Sequence, residues 1–352
     1  MNSRLNKVYL ELRRFSLGGF FVTNATNISY LTDYPTRDTY LLITPKKNFI
    51  FTDSRYLEEY KKNLKEFNVV KIGGSIFDSL KELVVKNRIK KLGFESSKIS
   101  YKEFKLLKEK LGSYAELTET TDIVENLRQI KEKNELEKIK KAIDITVEAF
   151  NFAKKILIPG IKELDLAAEI ERFIRYKGAV GSAFDIIIAS GPRTSLPHAI
   201  TSSKRLSDNE PVLIDMGVSI DGYKSDLTRT LFLGKISPGF IKSYSFVRNA
   251  QEEALKKIKP GVSCSYIDSL ARNYLAKKGI GSFFGHSLGH GIGLAVHENP
   301  LISSKNKQIL KENMVFTIEP AIYLPGKFGI RIEDMVLVTK KGYKVLSGAL
   351  NK

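Results

Sequence analysis

The sequence has no tryptophan, a single cysteine (Cys264), and only four histidines and four methionines among its 352 residues. One thiol can neither close an internal disulfide nor build a thiolate zinc site, so a disulfide scaffold is excluded and a reducing cytoplasm is expected. No apolar run reaches the roughly 18 residues of a membrane-spanning helix. The stretch Met1–Lys7 leads into the charged Glu11-Leu12-Arg13-Arg14 and lacks the apolar centre of a secretory signal. Several catalytic signatures are missing too. There is no Gly-x-Ser-x-Gly elbow, no Walker loop, and Gly289-x-Gly291-x-Gly293 is not the dinucleotide fingerprint. Cys264 follows the Pro260-Gly261 turn with no histidine near it in sequence, and reads as a helix-start residue.

Acidic residues are the scarcer charge: 39 Asp+Glu against 57 Lys+Arg, a net charge of +18. The excess is spread, with 23 basic and 16 acidic residues in 1–130 and 34 and 23 in 131–352. Much of it is helical Lys interleaved with Glu, as in Lys131-Glu132-Lys133 and Lys138-Ile139-Lys140-Lys141. That pattern describes a solvated surface; nucleic-acid surfaces cluster their charge and add aromatics or Arg. Neither a nucleic-acid nor a membrane partner is expected.

With 42% hydrophobic residues the chain can bury a full core, and its length suggests two domains, placed at 1–122 and 123–352. The first alternates short strands (19–23, 40–44, 48–52) with helical patterns near 56–66, 76–87 and 101–111, a compact α/β unit. A long amphipathic helix from about Asn134 to Ile156 opens the second. A weak internal repeat follows. Leu157-Ile158-Pro159-Gly160 precedes a helix that finishes at Lys177-Gly178, and Ile258-Lys259-Pro260-Gly261 precedes one of equal length that finishes at Lys278-Gly279. Each copy continues to an apolar strand ending in a carboxylate: Val212-Leu213-Ile214-Asp215 and Val315-Phe316-Thr317-Ile318-Glu319. Two halves facing one site are expected.

Each half supplies a second acid on its returning strand. Asp221-Gly222 is a hairpin turn signal. A two-residue loop there pairs 220 with 223, sets Asp226 opposite Gly217, and makes Asp215 and Asp226 diagonal neighbours about 7 Å apart, with the glycine leaving room. In the second half a three-residue loop around Pro325-Gly326 sets Glu319 opposite Glu333. Unpaired charges within apolar strands cost several kcal/mol, and two divalent cations balance four carboxylates, so a two-metal site is expected over a salt-bridge cluster. The histidines fall beside it in sequence: His198 in Leu196-Pro197-His198, then His286, His290 and His297. His286 and His290 have helical zinc-ligand spacing, but the glycines between 285 and 293 favour a loop or irregular strand.

The segments Ile214-Asp215-Met216-Gly217, Ser225-Asp226-Leu227-Thr228-Arg229-Thr230, Gly289-His290-Gly291-Ile292-Gly293, Thr317-Ile318-Glu319-Pro320 and Ile330-Arg331-Ile332-Glu333-Asp334 resemble the aminopeptidase P/prolidase/methionyl aminopeptidase superfamily of metallopeptidases. The N-terminal part, with Asn27-Ile28-Ser29-Tyr30-Leu31-Thr32, is similar to the creatinase-type N-terminal domain, which favours the Xaa-Pro branch. The resemblance implies an α+β fold: a creatinase-like α/β domain, then a duplicated pita-bread catalytic domain with an antiparallel sheet. It implies two divalent ions per chain, Mn or Co. Asp226, His290 and Glu319 would hold one and Asp215 the other, with Asp226 and Glu333 bridging. His198, His286, His297, Tyr323 and Arg331 match substrate-binding positions, and Glu319, His297, His198 and Arg331 the catalytic ones. Ala199, Ala295 and Phe328 depart from the family pattern without touching a ligand position.

The activity expected first is removal of an N-terminal residue from Xaa-Pro peptides by an aminopeptidase, with an Xaa-Pro dipeptidase (prolidase) as the alternative. Glu319 would accept a proton and pass it to the leaving proline nitrogen, while His297 and His198 hydrogen-bond the oxyanion and substrate. A homodimer is implied by the same resemblance. Non-catalytic pita-bread proteins that bind peptides or RNA form the remote alternative, disfavoured because all five ligand positions are present.

Overall fold

The computed structural model describes residues 3–351. The chain separates into two compact units, Met1–Arg128 and Gln129–Lys352; the helix Ile123–Arg128 belongs to the first. Among the described residues no helix is long and apolar enough to cross a membrane.

The first unit is built on six strands: β1 (Gly19–Val22), β2 (Tyr40–Ile43), β3 (Asn48–Thr52), β4 (Asn68–Lys71), β5 (Lys91–Glu95) and β6 (Glu116–Thr120). Their order is β4-β3-β2-β1-β5-β6. β1 pairs antiparallel with β2 and parallel with β5. Helices at Ile76–Lys86 and Tyr101–Leu111 pack Leu80, Val84, Leu107 and Leu111 against Phe21, Leu42, Phe51 and Leu92. Local chemistry sets the helix starts: Ser100 and Glu103 form a reciprocal capping box, and Asn24 caps Ala25–Thr32.

The second unit repeats one construction twice. The helices Glu163–Tyr176 and Cys264–Lys277 each have 14 residues. Gly160 donates its N–H to Leu206 O, and Gly261 does the same to Leu310 O. Isolated bridges join Lys162 to Arg205 and Ser263 to Ile309. Gly160 and Gly261 both have φ +90°, a backbone region that favours glycine. The sequence repeat is therefore a structural one.

Each copy offers a sheet, one face of which helices cover. Leu227–Phe232, Pro211–Met216 and Ile187–Ser190 form an antiparallel trio; Glu298–Ile302, Gly289–Gly291, Val315–Ile318, Asp334–Val338 and Tyr343–Val345 form a five-stranded sheet. Strand alternation then does the sorting. Val212, Ile214 and Met216 pack with Ile139, Ile143 and Phe150 of the helix Lys133–Ile156, leaving Asp215 on the other face. Phe316 and Ile318 pack with Val247, Ile267 and Ala271, leaving Thr317 and Glu319 opposite.

Candidate metal centre

Register delivers the acids. Asp221 and Gly222 have φ 49° and 81°, and Ile220 pairs with Tyr223 across this two-residue turn. Below it Met216 pairs with Leu227, so the unbroken register sets Gly217 opposite Asp226. The glycine has a different purpose from the one expected. A Cβ there would meet the Ser225 carbonyl at 2.0 Å and Phe184 at 2.9 Å, so it permits backbone contact instead of opening space between carboxylates. In the second half Leu324 pairs with Phe328 across Pro325–Lys327, and Ile318 with Asp334, so Glu319 stands opposite Glu333.

His290 lies on the short strand Gly289–Gly291, between glycines that admit backbone where a side chain cannot fit. A Cβ would meet Thr317 O at 1.9 Å from Gly289 and Asn299 O at 2.2 Å from Gly291. His290 Nδ1 is 3.1 Å from Gly291 O, which assigns its proton to Nδ1 and turns the Nε2 lone pair inward. Nε2 is 3.6 Å from Asp226 Oδ2 and 3.4 Å from Glu319 Oε1. Asp226, His290 and Glu333 each offer a ligand atom within 4.8 Å of the others.

The electrostatics suit a cation. Burial first, then Glu333, Asp215 and Glu319, hold the Asp226 carboxyl well above its ordinary range. Burial, then Glu319 and Asp215, do the same to Glu333. Burial lifts Glu319 to about 8. His290 is pushed down to about 4 by burial and then His297, which keeps it neutral and able to ligate. Asp215 Oδ1 is buried with no hydrogen-bond partner. An orphaned carboxylate oxygen beside repelling acids and a neutral imidazole is a donor set that fits oxygen-preferring divalent ions.

All ten side chains singled out from the sequence line one cleft of about 1120 Å³: His198, Asp215, Asp226, His286, His290, His297, Glu319, Tyr323, Arg331 and Glu333. Arg331 Nη2 is 2.5 Å from Asp215 Oδ2, and Nη1 donates to Tyr323 Oη at 2.7 Å and to Pro197 O at 3.1 Å. Tyr323 Oη is also 3.2 Å from His286 Nε2, and His286 Nδ1 is 2.8 Å from Ser287 O. Arginine can only donate, so Tyr323 donates to His286 Nε2 and His286 carries its proton on Nδ1. Burial lowers His286 to about 4, and partial desolvation against the cleft wall lowers His297 as well. His198 and His297 are exposed at the cleft, their imidazoles open to an incoming molecule. Phe328 packs against Phe240 at 5.2 Å on the helix-covered side and does not line the cleft.

Sequence reasoning missed the supporting hydroxyls. Thr228 Oγ1 donates to Glu333 Oε2 at 2.6 Å and accepts from Arg331 Nε at 3.0 Å. Thr317 Oγ1 donates to Glu319 Oε1 at 3.2 Å and accepts from His290 N at 3.1 Å. Each lies two residues from a carboxylate on the same strand face, the one signal that could have found it. Also missed was the buried pair Lys131–Glu298 (2.5 Å), beside His297 in sequence.

Residues 137–340 match Metallopeptidase family M24, and residues 4–130 match the Creatinase/Prolidase N-terminal domain. The chain belongs to metallopeptidase family M24, with a creatinase-type N-terminal domain ahead of a pita-bread domain. It is 36% identical over 348 residues to an Xaa-Pro dipeptidase from Pyrococcus horikoshii, covering 99% of this chain and 97% of that protein. Its fold superimposes on the Xaa-Pro dipeptidase from Bacillus anthracis with a TM-score of 0.94 at 35% identity, covering 98% of this chain and 96% of the other. The X-Pro aminopeptidase from Thermotoga maritima gives 0.88 at 38% identity, with 96% and 97% covered.

Proposed function

We propose that this chain is a metal-dependent Xaa-Pro dipeptidase. The observation that carries this is the meeting of five ligand-type side chains in one cleft, in a chain that parallels Xaa-Pro dipeptidases nearly end to end. The dipeptidase thereby moves ahead of the aminopeptidase expected first from the sequence. The aminopeptidase stays as the second reading, supported by the likeness to the Thermotoga maritima enzyme.

In this reading Asp226, His290 and Glu319 would hold one divalent ion and Asp215 a second, with Glu333 completing the donor set. Divalent ions held there, Mn or Co to suit the oxygen-rich donor set, would supply Lewis acidity and a more acidic water. Glu319, its Oε1 oriented by Thr317, accepts the proton of that water and delivers it to the leaving proline nitrogen. His297 and His198 donate hydrogen bonds to the developing oxyanion and the substrate. Arg331, tied to Tyr323 and Asp215, holds the polar wall of the cleft in place. Selectivity for proline has a simple physical basis, since its tertiary amide offers no N–H and its ring fixes φ. The family resemblance supports a homodimer, and the free, buried Cys264 suits a reducing cytoplasm; a monomer mass by light scattering would reject the assembly.

The deciding experiment strips the protein with chelator and restores single metals before a substrate panel. Cleavage of Xaa-Pro dipeptides alone supports the dipeptidase. Cleavage of Xaa-Pro-Yaa peptides makes it an aminopeptidase, and no hydrolysis with any metal sinks both.

A further inference from the structure

One buried acid takes no part in the chemistry above. Glu163, the first residue of its helix, is fully buried and does not line the cleft. Its Oε1 accepts from Ser190 N and Ser190 Oγ, both at 2.8 Å. Its Oε2 accepts from Ser202 N at 3.1 Å and Ser202 Oγ at 2.6 Å. Arg193 Nε lies 3.3 Å from the same Oε2, and Arg193 Nη2 donates to Ile200 O. The carboxylate thus grips both ends of residues 190–202, and Arg193 braces the interior.

That segment carries His198. It contains the 3-10 turn Gly191–Ser195 and then runs without regular structure to Ser202, so no strand ladder fixes it there. The exposed His198 imidazole makes no hydrogen bond within the described protein, so it stands where its backbone puts it. Gly329 N donates to Thr194 Oγ1 and Arg331 donates to Pro197 O, two ties from the far wall on the stretch between the clasped ends. Charge-assisted bonds to an ionised carboxylate are the strong kind, and four converging on one buried group make a stiff clasp.

We infer that Glu163 is a positioning residue: by clasping Ser190 and Ser202 it sets the span of the 190–202 segment and hence the place of His198 over the cleft. The clasp is a physical claim in its own right, and only its kinetic consequence rests on the hydrolysis proposed above. Misplacing a substrate-contacting group by about 1 Å costs up to about 100-fold in rate.

The test uses Glu163→Gln, which keeps the shape but turns an amide N–H₂ toward donors. Amide hydrogen exchange in metal-loaded protein should rise at least about 10-fold across 190–202 and stay unchanged in strand Pro211–Met216. On an Xaa-Pro dipeptide, kcat/KM should fall about 10- to 100-fold, yet by less than about 3-fold when introduced into His198→Ala, because the two act through one group. Unchanged exchange in 190–202, or an equal fold-loss in both backgrounds, overturns the inference. Absence of hydrolysis by the wild type defeats the proposed function alone, since exchange still decides the clasp. Should Glu163→Gln not fold, Arg193→Gln at the more exposed brace meets the same two criteria, with a smaller loss.

Discussion

The guanidinium of Arg331 lies 2.5 Å from Asp215 Oδ2, so an arginine of the second half neutralises a carboxylate of the first. Both side chains are buried, and Asp215 keeps its other oxygen unpartnered. Breaking such a pair from one side costs about 3–5 kcal/mol, because a buried charge is left alone. Arg331→Met should therefore lower the urea midpoint of metal-free protein sharply and cut kcat/KM by at least about 100-fold. Saturating metal should restore part of the stability and none of the rate. Wild-type turnover in this variant would remove Arg331 from the working site.

Ligands and substrate-side groups should separate in a metal assay. Disturbing a ligand's hydrogen-bonding partner costs about 10- to 100-fold in metal affinity, and losing a ligand at least as much. Asp226→Asn should thus bind less metal as well as lose rate. His297→Ala should lose rate with its metal content intact. Equal metal loss in the two, measured by elemental analysis, would show that the division of roles is wrong.

His286 gives a pH signature in metal-free protein. Burial depresses its pKa from 6.5 to about 4. The unfolded chain takes up the proton first as pH falls, so stability present above pH 6.5 is lost between about 6.5 and 4. From pH 7 to pH 5 the loss from this one group is about 2 kcal/mol. His286→Gln should fall less steeply by that amount in urea unfolding at the two pH values. Parallel slopes for variant and wild type would mean that His286 is not held neutral.

Close backbone approach beside His290 should be intolerant of one methyl group. The Cβ of Gly289→Ala would sit 1.9 Å from Thr317 O, and backbone cannot yield as a flexible side chain does. Overpacking of this kind costs about 1–3 kcal/mol. A drop in melting temperature joined to weaker metal binding is expected. A variant as stable and as metal-rich as wild type would contradict the strand geometry.

The acids were legible because turn chemistry and strand alternation are local. Asp221-Gly222 fixed the register of Asp226, and the span Pro325–Lys327 that of Glu319 and Glu333. The glycines around His290 likewise announced an irregular strand. Partnerships across long separations were not legible. Glu163 meets Ser190 and Ser202, 27 and 39 residues away, and serine carries no hint of such a role. Thr228 and Thr317 read as ordinary strand residues until their carboxylates were placed. In the first unit the helix Ala25–Thr32 escaped notice, since six of its eight residues (two Thr, and one each of Asn, Ile, Ser and Tyr) are only middling helix formers. It depends on the Asn24 cap and on Asp33 in a left-handed conformation. The order of dipeptide and longer peptide was not legible for a related reason, and relatives of both kinds resemble the chain. That choice turns on what closes the end of the cleft, which no ligand motif encodes.

The duplicated construction also decides what an ion held here would do for the fold. Asp215 and Asp226 come from one copy, His290, Glu319 and Glu333 from the other, and Thr228–Glu333 and Arg331–Asp215 stitch the two together. Neither copy alone brings these donors together, so tight capture of an ion must await their docking. An ion held by donors of both copies would stabilise only the docked pair, so the apparent stability of the second unit should rise with metal concentration.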